Sequence, residues 1–205
     1  NQPILRTVGL TRQLSLRNFK ISGTAAGANQ HGLYLQGDQS GLFEINGLYI
    51  RVCGGDGLKI DSSDYSYVIE RVYSTGNLGY QFNIDAANSP CITLLNCYAG
   101  VVATNSFGFM IQRGTVEMIG CNSLVVGTRP RSWLQVGNSA VGAALVIARN
   151  CNFESFTKYG VFVDTSSNFQ AYNCFFIPDA SALLCQSLYM IDPTPISYLD
   201  PSNFF

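Results

Sequence analysis

Charged side chains make up only 12% of this chain, against about 25% in an average soluble domain. The 12 Lys and Arg are set against 13 Asp and Glu, for a net charge of −1. Without a basic excess there is no field to hold a phosphate backbone, so no nucleic-acid partner is expected. The chain has one His, His31, and no C-x-x-C pair. The ligand spacing of an ordinary zinc site is therefore missing, and neither a metal nor another cofactor is expected. No apolar run is long enough for a membrane-spanning helix, so membrane insertion is not expected. The chain opens at Asn1 without a Met or an apolar leader, as an excised or processed piece would.

What is present is a repeat. The 205 residues suit one domain, and 20 Gly with many Ser, Thr and Asn suggest short strands joined by neutral turns. One signature is a strand closing on a small or polar residue and then a buried one. It occurs at Asn18-Phe19, Gly47-Leu48, Arg71-Val72, Asn96-Cys97, Gly120-Cys121, Asn150-Cys151 and Asn173-Cys174. Its six steps span 155 residues, a mean near 26. The second signature is a Gly or Ser leading into alternating apolar residues. It reads GLYLQ at 32–36, GLKID at 57–61, GYQFNID at 79–85, GFMIQ at 108–112, SWLQV at 132–136, GVFVD at 160–164 and SLYMID at 187–192. Its starting residues also span 155 residues in six steps.

A strand alternating with period two turns one face inward and one outward. One coil cannot bury its inner face alone, but stacked coils can. The pattern therefore reads as all-β: a right-handed parallel β-helix (a solenoid) of about seven coils, three short strands per coil. The helix is expected over 1–192, with 1–13 as a lead-in. Residues 193–205, rich in Pro, are expected to leave the coil and cap its open end.

The column Phe19, Leu48, Val72, Cys97, Cys121, Cys151 and Cys174 is expected to stack inside as free thiols and apolar side chains. Buried free thiols point to folding in a reducing compartment. Asn18, Asn96, Asn150 and Asn173 suit a left-handed corner, as do Gly47 and Gly120. Arg71 suits it less, so an irregular corner is expected there.

The alternation of "G-apolar-x-apolar" with "apolar-x-N-x-apolar" resembles the repeat of the pectate-lyase-like β-helix superfamily. The segment Gly55-Asp56-Gly57-Leu58-Lys59-Ile60-Asp61 is similar to that repeat in bacteriophage tailspikes. The resemblance covers roughly 14–192. It implies a polysaccharide ligand, commonly an extracellular one. It also implies a homotrimer folded in the host cytosol and placed in a virion tail; an extracellular address is the alternative. The chain lacks a paired-Asp motif of the polygalacturonase kind, since Asp56 stands alone, and the Asp-Pro-His pattern of alginate epimerases. Three functions stay open: a tailspike-like protein that binds a bacterial surface polysaccharide, with or without depolymerising it, a non-catalytic shaft or adhesion module, and a secreted polysaccharide lyase or hydrolase.

Glycoside hydrolysis uses two carboxylates, and side chains in one column of a solenoid lie one rung apart. The column Gln36, Asp61, Asp85, Gln112, Asp164, Asp192 makes Asp61 and Asp85 neighbours and the first catalytic candidates, with Glu70 and Asp56 next. Capping of strand ends is the bland alternative for all of them. The turn at 127–133 holds Arg129, Arg131 and Trp133, which could grip an acidic sugar through a guanidinium fork and an aromatic face. The loop 22–31, with His31, reads as a plain loop. Tyr34, Met110 and Phe162 point outward and read either as an apolar row for a trimer partner or as an aromatic sugar groove.

Overall fold

Period-two alternation bounded by Gly, Asn and Ser produces strands throughout, twenty-two of them, with no helix among the described residues. The computed structural model describes residues 2–8, 13–37, 42–61, 67–87, 91–101, 107–125, 130, 132–164, 166–179, 186–190 and 198–199. Successive strands fall into three parallel stacks, each strand pairing with its equivalents one coil before and one coil after. The first stack runs from Leu5–Thr7 through Leu33–Gln36, Leu58–Asp61 and Phe82–Asp85 to Ser132–Val136, Tyr159–Val163 and Gln186–Met190. The second contains Leu14–Arg17, Phe43–Asn46, Tyr67–Glu70, Ile92–Leu95, Ala144–Arg149 and Asn168–Tyr172. The long strand Phe109–Ile119 passes through both stacks and joins them into one fifteen-stranded sheet. The third is a separate sheet of seven strands, from Lys20–Ser22 to Phe175–Pro178. The first two stacks hold eight rungs each and the third seven, in a parallel β-solenoid of about six turns. At about 4.8 Å per spacing, eight rungs stand roughly 34 Å tall.

The pairing reaches further at both ends than the repeat signatures alone indicate. Leu5–Thr7, inside the expected lead-in, pairs with Leu33–Leu35. Tyr198–Leu199, inside the stretch expected to leave the coil, pairs with Gln170–Ala171. The remainder of 193–205 lies outside the described residues.

The interior is a dry column. Leu48, Val72, Cys97, Cys121, Cys151 and Cys174 are buried in file, and Phe19 packs half-buried at its end. The six described cysteines carry free thiols. Three of them point at a carbonyl of the preceding coil: Cys97 at Ile69 (3.2 Å), Cys121 at Leu94 (3.3 Å) and Cys151 at Met118 (3.5 Å). Burial pushes the Cys53 thiol up to about 11 and Cys121 well above the usual thiol range. The contact with Cys151 does the same to Cys174. A thiol that stays protonated and buried is a poor nucleophile. In the native protein at neutral pH, at most two of the seven cysteines, Cys91 and Cys185, are expected to react with Ellman's reagent within minutes. Three or more fast-reacting thiols would contradict the buried column.

The corner preceding that column is regular. Asn18, Gly47, Arg71, Asn96, Gly120, Asn150 and Asn173 all have φ between 50° and 68°. The expectation of an irregularity at Arg71 is corrected: its φ is 52°, and its N–H donates to the Leu95 carbonyl of the next coil as its neighbours' do to theirs. The stack overrides the intrinsic penalty of a left-handed Arg, about 1–2 kcal/mol. Gly47 and Gly120 have a second reason to be Gly. A Cβ there would sit 2.5 Å from Asn18 Oδ1 and 2.4 Å from Asn96 Oδ1.

Candidate functional site

The outward side of the first stack carries side chains in two files. The nearer file reads Arg6, Tyr34, Lys59, Asn83, Met110, Gln135, Phe162 and Tyr189, one residue per rung. These side chains stand outside the solenoid, yet Tyr34 is only 9% exposed, Asn83 5% and Met110 5%. The middle of the file is therefore a largely covered floor, with Arg6 exposed at one end and Phe162 and Tyr189 half-buried at the other. Of the exposed apolar row expected at Tyr34, Met110 and Phe162, the first two are covered and Phe162 is half-buried against Tyr159 and Tyr189. Among the exposed apolar residues of the rungs, Leu5 (37%) is on the first rung of this stack, and Tyr73 (36%), Phe175 (41%) and Ile177 (47%) lie on the third sheet.

The second file begins Gln36, Asp61, Asp85, as the sequence indicates, with Asp61 and Asp85 register partners on adjacent rungs. It then departs from expectation. The register slips after Ile84, so that Arg113 rather than Gln112 faces Asp85. Bulges of this kind re-aim side chains, and this one aims two. Arg113 forms an ion pair with Asp85, which holds the guanidinium above its usual range. Gln112 is turned to the floor, where its Nε2 donates to Asn83 Oδ1 at 2.8 Å. On the other side, the Tyr34 hydroxyl donates to Asp61 Oδ2 at 2.9 Å. Burial, helped by that bond and the Asp61 charge, raises Tyr34 to about 12, so it remains a neutral donor over the working pH range.

A chain of amides ties the floor together. Asn138 Nδ2 donates to Gln112 Oε1 (2.9 Å), Gln112 to Asn83, and Asn83 Nδ2 to Asp56 Oδ2 (2.8 Å). Asp56 is the anchor. It is buried, accepts the Tyr80 N–H on Oδ1 (2.8 Å), and lies 3.4 Å from His31 Nδ1. Its own N–H donates to His31 Nδ1 at 2.9 Å, which places the proton of a neutral His31 on Nε2. Burial holds His31 below the usual imidazole range, against the pull of Asp56, and Lys59 adds to the lowering. Asp56 can lie this deep because Gly55 and Gly57 flank it. A Cβ at Gly55 would meet the Ala28 carbonyl at 2.4 Å, and one at Gly57 would meet Ser74 Oγ at 2.0 Å.

Next to this floor a cleft of about 280 Å³ opens above Tyr34, lined by Arg6, Asn29, His31, Gln36, Lys59 and neighbouring residues. Arg6 and Lys59, on the rungs either side of Tyr34, place their cationic groups 5.5 and 4.9 Å from its ring centroid.

The expected site residues thus separate. Tyr34, Asp61, Asp85 and Asp56 share one face. Glu70 does not join them; it lies on the second stack, bonded to Asn46 Nδ2 (2.7 Å) and 3.5 Å from Arg71. Trp133 is corrected outright. Ser132, Trp133 and Leu134 are buried in succession, the Trp ring is fully enclosed, and its Nε1 donates to the Glu154 carbonyl. It has no face to offer a sugar. Arg129 and Arg131 lie outside the described residues. Arg6, His31, Lys59, Asn83, Gln112 and Arg113 were not singled out by the sequence as site residues. Lys59 and Asn83 share the outward parity of Tyr34, and that was the available signal.

Among the described residues, no group of three or more His, Cys, Asp or Glu is placed to hold a metal ion, and no helix is long and apolar enough to cross a membrane. Fold and face together define a parallel β-solenoid whose first stack carries an outward face of interleaved polar and apolar side chains with a cleft at Tyr34. In comparisons with known proteins, no family model, no curated protein and no solved structure matches the chain.

Proposed function

We propose that the chain binds a polysaccharide along the groove of the first stack, in the manner of a tailspike-like β-helix. The carrying observation is the outward face of that stack: a straight file in which Arg6, Lys59, Asn83 and Gln135 are interleaved with Tyr34, Met110, Phe162 and Tyr189, bordered by Asp61, Asp85 and Arg113 and holding the cleft over Tyr34. A polymer of hydroxyls is recognised by fixed donors and acceptors in a line, and rungs at a constant spacing supply such a line. The amide chain from Asn138 to Asp56 fixes those groups before a ligand arrives, which limits the ordering cost of binding. The buried free thiols support assembly in a reducing compartment.

Asp61 and Asp85 are the pair in position for any cleavage of the bound chain. Both already have partners, Tyr34 and Arg113, and this favours recognition over hydrolysis as the basic activity. The test is a panel of capsular and O-antigen polysaccharides, read for binding and for release of reducing ends. Asp61→Asn and Asp85→Asn are each expected to weaken binding roughly tenfold, the worth of a charged hydrogen bond. Reducing ends, if released, should vanish in both variants. Undiminished binding by both would remove this face from the function.

A further inference from the structure

We infer that the sugar taken by this groove is acidic, its carboxylate held in the cleft between Arg6 and Lys59. The inference rests on the groove reading and adds a substrate class to it.

The cations of the rungs are mostly spoken for. Arg17 faces Glu44, Arg71 faces Glu70, Arg113 faces Asp85 and Arg149 faces Glu117. Arg6 and Lys59 have no such carboxylate among the described residues. Instead they bracket one tyrosine at the rim of a cleft. Lys20 and Arg51 bracket Tyr49 similarly, and like Arg6 both are exposed, where a charge is heavily screened; the Tyr34 pair differs in that Arg6 and Lys59 line one cleft. Lys59 is half-buried, and the lining of its cleft contains two cations and no acid.

The nearby acids face elsewhere. Asp56 is spent on Tyr80, Asn83 and the far side of His31, and Asp61 sits at the hydroxyl end of Tyr34. Apart from Pro3, the remaining lining residues are neutral and carry hydrogen-bonding side chains, including Gln36, Asn29 and His31, whose proton lies on Nε2. The Arg6 Nη2 donates to Gln36, which steadies the guanidinium and leaves its other donors for a ligand. A planar guanidinium fork beside a point-charge ammonium suits a carboxylate. The volume, about 280 Å³, is small for a ligand pocket and suits one sugar unit rather than a polymer segment.

The experiment uses the full chain and the same capsular polysaccharides, each in native and carboxyl-reduced form, with dextran sulfate as a polyanion lacking carboxylates. Native acidic polymer is expected to bind at least tenfold more tightly than its carboxyl-reduced form and than dextran sulfate. The Arg6→Gln/Lys59→Met double variant, with an unchanged melting temperature, is expected to lose roughly 30-fold or more on the native polymer. Equal binding of native and reduced polymers overturns the inference and leaves the groove reading intact. Equal binding of dextran sulfate, or full binding by the double variant, also overturns it. Failure of every polymer to bind is a failure of the groove reading itself.

Discussion

Replacing Trp133 by alanine is expected to destabilise the protein by about 4–5 kcal/mol, the upper range for removing a buried aromatic. The ring is fully enclosed and reaches across the corner between two stacks. A Cβ placed on Gly108 would lie 2.7 Å from the ring and 3.1 Å from Ala99 Cβ, so there is no slack for neighbours to fill the void. The Glu154 carbonyl would also lose its indole donor, adding about 1 kcal/mol. For a chain of this size, that corresponds to a fall in Tm of roughly 10–20 °C. Such a loss is a large fraction of the whole stability of a domain. Trp133→Phe, which keeps most of the apolar volume, should lose about 1–3 kcal/mol by comparison with other large-to-small core changes. Thermal unfolding of the three proteins provides the measurement. The Phe variant, still folded, should bind polysaccharide as the parent does. Selective loss of binding in that variant would restore Trp133 to the ligand surface.

Asp56→Ala carries the second largest effect, about 3–5 kcal/mol, because it breaks a buried charged network from one side. The Tyr80 N–H and the Asn83 amide would each be left without an acceptor, and His31 would lose its neighbouring carboxylate. Asn83 would then be free to turn, and with it Gln112 and Asn138, so the groove floor should loosen as well. Asp56→Asn should fall between the parent and Ala, since its amide oxygen can still accept from Tyr80 while its NH₂ opposes the Asn83 donor. Urea unfolding ranks the three. If Asp56→Ala matched the parent in stability, Asp56 would not be the anchor described here. If it were equally stable and inert toward polysaccharide, the catalytic reading of Asp56 would return.

How much of this was legible beforehand differs from residue to residue. The interior column from Leu48 to Cys174 was legible because only coil stacking brings residues some 26 apart into one file. The Asp61–Asp85 pair was legible for the same reason, through the shared spacing of the two strands. Arg113 was hidden because one bulged residue after Ile84 shifts the register, and no local motif announces a bulge. Trp133 was misplaced because it reads as the end of the 127–133 turn, whereas the strand already begins at Ser132 and the ring fills a corner vacated by Gly108. Tyr34 and Met110 were assigned to the correct side of the sheet but taken as exposed. Their covering comes from flanking side chains and turns that periodicity does not describe. Arg6 and His31 lay in stretches without the repeat signature and so looked like lead-in and loop. Only the pairing of Leu5–Thr7 with Leu33–Leu35 places Arg6 on Tyr34.

Each functional statement above depends on equivalent residues of successive coils lying in register. Sulfur anomalous diffraction from crystals of the protein measures that alignment directly. Cys97, Cys121, Cys151 and Cys174 should give four peaks in one nearly straight row, spaced about 4.8 Å apart. Peaks scattered around the molecule, or neighbours separated by much more than one rung, would contradict the solenoid and the groove built on it.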